Sequence, residues 1–203
     1  MRNNSRATYR ILGALFAVTV PLGAQVAQTP PWHPHPAGEQ EIAAIRGFEE
    51  RAADYVALHR LLEASLPRQR PTTNISQLYI ESRTLTARVL VARQHAQTGD
   101  LFTNDIARVL RREIAECLSP EDWEAILAEH AVDEDGNRIV IPALRANMEW
   151  PPQVPFNFMP PQLLRVLPPL PPELQYRIIG RSLVLWDHHA NLIVDVLPAA
   201  FTT

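Results

Sequence analysis

The sequence predicts an α+β protein: a mostly helical bundle of about four helices, then a proline-rich segment, then a small C-terminal antiparallel β-meander. Three observations carry this. Apolar residues recur at helical steps from Glu39 to about His130. Prolines crowd the stretch from Pro142 to Pro172 too densely for regular structure. Three short runs rich in Ile, Val, Leu or an aromatic follow, Gln175–Ile179, Leu183–Trp186 and Leu192–Val196, separated by the turn-type residues Gly180-Arg181-Ser182 and Asp187 to Asn191. A hydrophobic content of 46% with 20% charged residues belongs to a globular chain, and 203 residues hold one ordinary domain or one with a small appendage.

Residues 1–24 have the grammar of a secretory signal peptide. Arg2, Arg6 and Arg10 precede the apolar run Ile11–Val20, and Pro21-Leu22-Gly23-Ala24 supplies a small-residue cleavage site. That run is too short to span a bilayer, so no stable membrane span remains after cleavage. Cleavage leaves 16 basic residues, all arginine, against 22 acidic ones, a net charge of −6. Such a surface does not suit nucleic acid or anionic lipid. Cys117 is the only cysteine, so the chain forms no internal disulfide and stands on packing. The predicted location is exported, periplasmic or extracellular.

Residues 25–38 are polar and proline-bearing, a flexible mature N-terminus. The helical domain spans 39–132. In its first helix, Ile42, Ile45, Ala52, Tyr55, Leu58 and Leu62 share a face, and Pro67 and Pro71 end it. Thr72, Thr73 or Asn74 caps a second helix reaching about Gln97, with Ile75, Leu78, Leu85, Val89 and Ala92 inward and Gly99 as a left-handed terminator. Thr103 caps a third, Asn104–Leu118, with Ile106, Leu110, Ile114 and Cys117 on one side. Ser119-Pro120-Glu121-Asp122 combines a cap, a first-turn proline and two acids at the positive end of the helix dipole; this helix ends near His130. Residues 133–172 wrap the bundle surface, punctuated by Trp150, Phe156, Phe158 and Met159, with a short strand at Arg138–Ile141 and one helical turn after Pro160. Residues 173–203 form the meander.

Candidate chemistry centres on histidine. His33 and His35 lie close together on the N-terminal arm, and Asp187-His188-His189 places three ligand types at one turn; neutral imidazole in either place suits a transition metal. Adjacent residues on an extended turn point in opposite directions, which opposes a convergent site, and solvent-exposed turn histidines stand as the alternative. His59 and His95 fall on helices, where boundary packing or exposure is expected. Asp133 to Asn137 lacks the ligand alternation and closing glutamate of a calcium loop and reads as an acidic turn. No G-x-S-x-G elbow or glycine-rich phosphate loop occurs, and Cys117 on an apolar face reads as an inert thiol. No enzyme and no cofactor is predicted.

Leu167-Pro168-Pro169, Tyr176-Arg177, Gly180, Leu183-Val184-Leu185 and Ile193-Val194 together resemble the C-terminal hairpin of small periplasmic proteins of the nickel/cobalt-homeostasis type. Asn191 stands where those proteins carry the glycine of the last turn, and asparagine still tolerates a left-handed backbone. The whole mature chain is also similar to a group of short exported bacterial proteins. The first resemblance covers about thirty residues of turn and strand chemistry. It implies a periplasmic location and a metal-linked role, and neither resemblance carries over catalytic residues.

The expected function is that of a non-enzymatic binding or envelope-accessory protein presenting Trp150, Phe156, Phe158 and Trp186 to an envelope protein partner. The alternative is a metal-responsive protein using His33, His35, His188 and His189. A small hydrolase is the third possibility, requiring a pocket with a histidine beside a carboxylate.

Overall fold

The computed structural model describes residues 38–66, 75–129, 131–133, 135–156 and 159–201, and for 75–81 and 129 the backbone. The leader, the arm as far as residue 37, Pro67, Pro71, the cap candidates Thr72, Thr73 and Asn74, the side chains of Ile75 and Leu78, His130 and Phe158 lie outside these. The fold is α+β. Its elements in chain order are α1 (Glu39–Ala64), α2 (Ile75–Ala92), α3 (Asn104–Cys117), α4 (Pro120–Glu129), β1 (Met148–Glu149), α5 (Pro161–Val166), β2 (Leu174–Ile179), β3 (Ser182–Asp187) and β4 (Leu192–Leu197). Among the described residues no helix is long and apolar enough to cross a membrane.

The helices begin and end largely where their residues dictate. Ser119 accepts the Asp122 N–H at 3.1 Å and caps α4, with Pro120 as its first residue. Thr103 precedes α3 without bonding to it through its hydroxyl, which instead meets the Arg51 guanidinium at 3.5 Å. The second helix stops at Ala92, five residues short of the expected Gln97. The Asn147 amide explains this, donating to the Leu90 and Arg93 carbonyls at 3.2 and 2.9 Å and capping α2 from 54 residues away. Gly99 does adopt a positive φ of 97°, in the separate turn that follows. Cys117 is half-buried against the core and donates to the Ile114 carbonyl.

The meander forms as expected, with strands matching the predicted runs to within a residue. The sheet contains a fourth strand that sequence patterning missed: β1 pairs antiparallel with β4, giving the order β1-β4-β3-β2. Arg138–Ile141 does not form a strand; only an isolated bridge joins Val132 to Arg138. The turn between them is closed by Asp133, whose Oδ1 accepts the N–H groups of Asp135 and Asn137.

Side-chain alternation buries both faces of the sheet. Leu174, Tyr176, Ile178, Leu183, Leu185, Leu192, Val194 and Leu197 face the helices, in one core with Phe48, Tyr55, Val89, Ile106 and Leu110. Ile179, Val184, Ile193 and Val196 face the other way and are covered by Trp150 and Val154. The proline-rich segment therefore covers the sheet as well as the helices, and returns to the helical core through Met159, Leu163 and Leu167. A register shift at Leu185/Trp186 leaves Val194 without a partner on β3. The extra residue lets Val194 face the helical core while the next residue, Asp195, also reaches helix-side backbone.

Asp195 is a fully buried carboxylate inside an apolar strand. Its Oδ1 accepts the N–H groups of Gly99 and Val196 at 2.9 and 2.7 Å, and its Oδ2 those of Leu101 and Phe102 at 2.8 Å each. Four backbone donors replace water around the charge, and the sheet is thereby fastened to the α2–α3 connection.

Candidate metal centre

The buried stripe of α1 runs Ile45, Phe48, Ala52, Tyr55, Val56, His59. The steps of three and four make His59 a core position one turn beyond Tyr55. What makes a wholly buried imidazole tolerable there is Asp187, the last residue of β3 and itself 0% exposed. The Tyr55 hydroxyl donates to Asp187 Oδ2 at 2.5 Å, and His59 Nδ1 lies 2.6 Å from the same oxygen. A carboxylate can only accept, so Nδ1 carries the proton. The second oxygen, Oδ1, accepts the backbone N–H groups of His189 and Ala190 at 3.0 and 2.9 Å. One buried carboxylate thus orients the His59 ring and folds the turn that bears His189. That turn is also held to α2, where Thr86 Oγ1 donates to the Ala190 carbonyl at 2.5 Å and Ser82 Oγ to that of His189 at 2.9 Å.

The charges at the centre follow from these bonds. Burial pulls the His59 pKa down, but the hydrogen bond to Asp187 and the negative charges of Asp187, Glu63 and Glu173 more than reverse it, leaving it raised. Burial pushes Asp187 up, and the donors His59, Ala190 N–H and Tyr55 overcome this and leave it lowered. Burial and the Asp187 charge raise the Tyr55 hydroxyl far above its ordinary range, so it stays protonated and donating. The Arg93 guanidinium sits 5.0 Å from the Tyr55 ring centre and donates to the Val194 carbonyl.

On its other side the His59 ring is bare. Among the described residues, Nε2 is buried without a hydrogen-bond partner. It faces Glu63, one helical turn on, at 3.6 Å from Oε2, and Glu63 Oε1 lies 3.4 Å from His189 Nδ1. The three donor atoms lie within 4.8 Å of one another. A tetrahedral ion with bonds of about 2.0–2.1 Å sets its donors roughly 3.3–3.4 Å apart; the His189–Glu63 separation matches this, and the His59–Glu63 one, to the other carboxylate oxygen, is slightly longer. A carboxylate on the far nitrogen of a ligating histidine is also what metal centres use to fix tautomer and ring orientation.

Of the histidines proposed from sequence, His189 belongs to this cluster. His188 does not: its Nε2 lies 2.9 Å from the Pro172 carbonyl, and its ring meets that of His189 edge to face at 4.4 Å. The opposed directions of adjacent turn residues produce this division. His33 and His35 lie outside the described residues. Sequence reasoning missed His59, for which boundary packing or exposure was expected, and Glu63; the signal was a histidine in step with the buried stripe and a carboxylate four residues later.

The proposed partner-binding aromatics do converge. Trp150 and Phe156 stack with centroids 4.7 Å apart, and Trp186 meets them at 5.5 and 4.8 Å. Arg177 lies 5.2 Å over the Trp186 ring. These rings border a cleft against Ser82, Arg83 and Thr86 of α2, with His188 at its edge. Trp150 is buried as a prop for the sheet, whereas Phe156 is 54% exposed. Phe158 lies outside the described residues.

Comparison with protein-family models, with curated proteins and with solved structures finds no match to this chain.

Proposed function

We propose that this is an exported, non-enzymatic protein that binds a divalent transition metal ion through His59 Nε2, Glu63 and His189 Nδ1. The observation that carries this is the buried His59 ring, anchored on one side by Asp187 and bare on the side that faces two further donors. Two imidazoles and one carboxylate suit zinc, nickel, cobalt or copper(II) better than calcium or magnesium, which take oxygen ligands, or copper(I), which favours thiolate and thioether. Among the described residues no hydroxyl or thiol hydrogen-bonds to Nε2, as a nucleophile would to its base, which supports a binding role over a hydrolytic one. Export rests on the leader-like residues 1–24.

Calorimetric titration with zinc, nickel, cobalt and copper(II) tests the reading. One ion per chain is expected, with affinity reduced by about tenfold or more in His189→Ala and unchanged in His188→Ala. Flat titrations with all four ions would remove the proposal.

A second reading rests on the aromatic cleft. Phe156, half-exposed beside Trp150 and Trp186, offers an apolar surface to an envelope protein. Crosslinking in the envelope with native protein and Phe156→Ser tests it; no reproducible partner, or one indifferent to the substitution, would count against it.

A further inference from the structure

We infer that an ion held at this centre keeps a coordination position for a donor from outside the chain, so that the protein carries its metal together with a small nitrogen or oxygen ligand. This rests on the metal-binding reading above and deepens it.

The inference follows from an accounting of donors. With one ligand atom from each, His59, Glu63 and His189 supply three, and the ions that suit them take four or more. Among the described residues, each neighbouring group that would make a fourth is committed elsewhere or stands outside the cluster. Both oxygens of Asp187 are taken, Oδ2 by Tyr55 and His59 and Oδ1 by two backbone N–H groups. Glu173 holds Arg60 through Oε1 at 2.6 Å; its Oε2 has no partner, but Glu173 stands outside the group whose donor atoms lie within 4.8 Å of one another. His188 has turned away to the Pro172 carbonyl. Tyr55 donates its hydroxyl to Asp187.

Exposure gives the direction of the open position. The His59 side chain is 0% exposed and forms the floor, with Tyr55 and Asp187 packed behind it. Glu63 and His189 are 46% and 45% exposed and form the rim. An ion touching all three sits where the protein wall is on one side and solvent on the other. Three protein donors with a solvent-facing vacancy is the ligand count of centres that exchange ligands, whereas structural sites close the sphere with four.

The test uses the purified full-length protein with one equivalent of cobalt(II), whose visible bands report coordination. Sodium azide is expected to shift these bands saturably with one azide per cobalt. Imidazole is expected to restore cobalt bands weakened in His189→Ala, a rim substitution that leaves the buried cluster intact. Native bands that stay unchanged through saturating azide would overturn the inference while leaving the metal-binding reading standing, since a fourth protein donor would then fill the position. Absence of cobalt bands in the native protein would overturn both.

Discussion

Asp187→Asn tests the site at its most informative atom. The backbone N–H groups of His189 and Ala190 can only donate, so the amide oxygen must take the place of Oδ1. The amide nitrogen then stands where Oδ2 was, facing the Tyr55 hydroxyl and His59 Nδ1. Tyr55 can rotate to accept. His59 can accept at Nδ1 only by moving its proton to Nε2, which removes the lone pair the metal needs. Outer-sphere changes of this kind cost roughly 10–100-fold in metal affinity, equivalent to about 1.4–2.7 kcal/mol. Exchanging two charge-assisted hydrogen bonds for neutral ones should cost stability about 1–3 kcal/mol. The assay is zinc affinity by chelator competition, beside urea unfolding followed by tryptophan fluorescence. A variant that folds normally and binds zinc within about twofold of native would refute the tautomer argument.

Three further outcomes follow. The His59 pKa lies above its ordinary 6.5, so in metal-free protein its contribution to stability is full below 6.5 and is lost as pH rises through the raised value. Asp187 lies below its ordinary 3.8, so its contribution is full above 3.8 and is lost as pH falls through the lowered value. The urea midpoint should therefore plateau between those limits and decline on both sides, and saturating zinc, which displaces the Nε2 proton, should reverse the alkaline decline; a midpoint flat through neutrality in apoprotein would contradict this. Asp195→Asn leaves two of four backbone donors facing an amide nitrogen, so unfolding should come about 3–5 kcal/mol more easily, with zinc affinity unchanged because Asp195 binds the α2–α3 connection; a loss under about 1 kcal/mol would refute that latch. Gly180→Ala places a methyl 2.8 Å from Ile141 Cδ1 at a φ of +55°, for an expected loss of about 1–2 kcal/mol in the same urea assay.

The parts of this fold that were legible are those whose signal is local. Leu183-Val184-Leu185 and Leu192-Ile193-Val194 declare strands through composition and flanking turn residues, and Asn191 adopts the positive φ its side chain tolerates, 47°. Met148–Glu149 could not be read, because two residues carry no period and their partner lies some 45 positions away. The end of α2 was misjudged for a similar reason, since the cap arrives from Asn147. His59 and Asp195 were readable in part: each is a lone polar residue in an apolar stripe, which announces a buried partner without naming it. Which partner it is depends on how the sheet docks, and that is set by the packing of both faces.

The two aspartates have a consequence for how the chain reaches this state. Tyr55 meets Asp187 across 132 residues and Leu101 meets Asp195 across 94, and the helical layer finds its apolar cover on strands that begin only at Leu174. The helical layer gains that cover, and both carboxylate bridges, only when β3 and β4 dock against it. Closure over such spans is slow. Until those contacts form, the apolar face of the helices lies open, a state in which a chain is prone to associate with its neighbours.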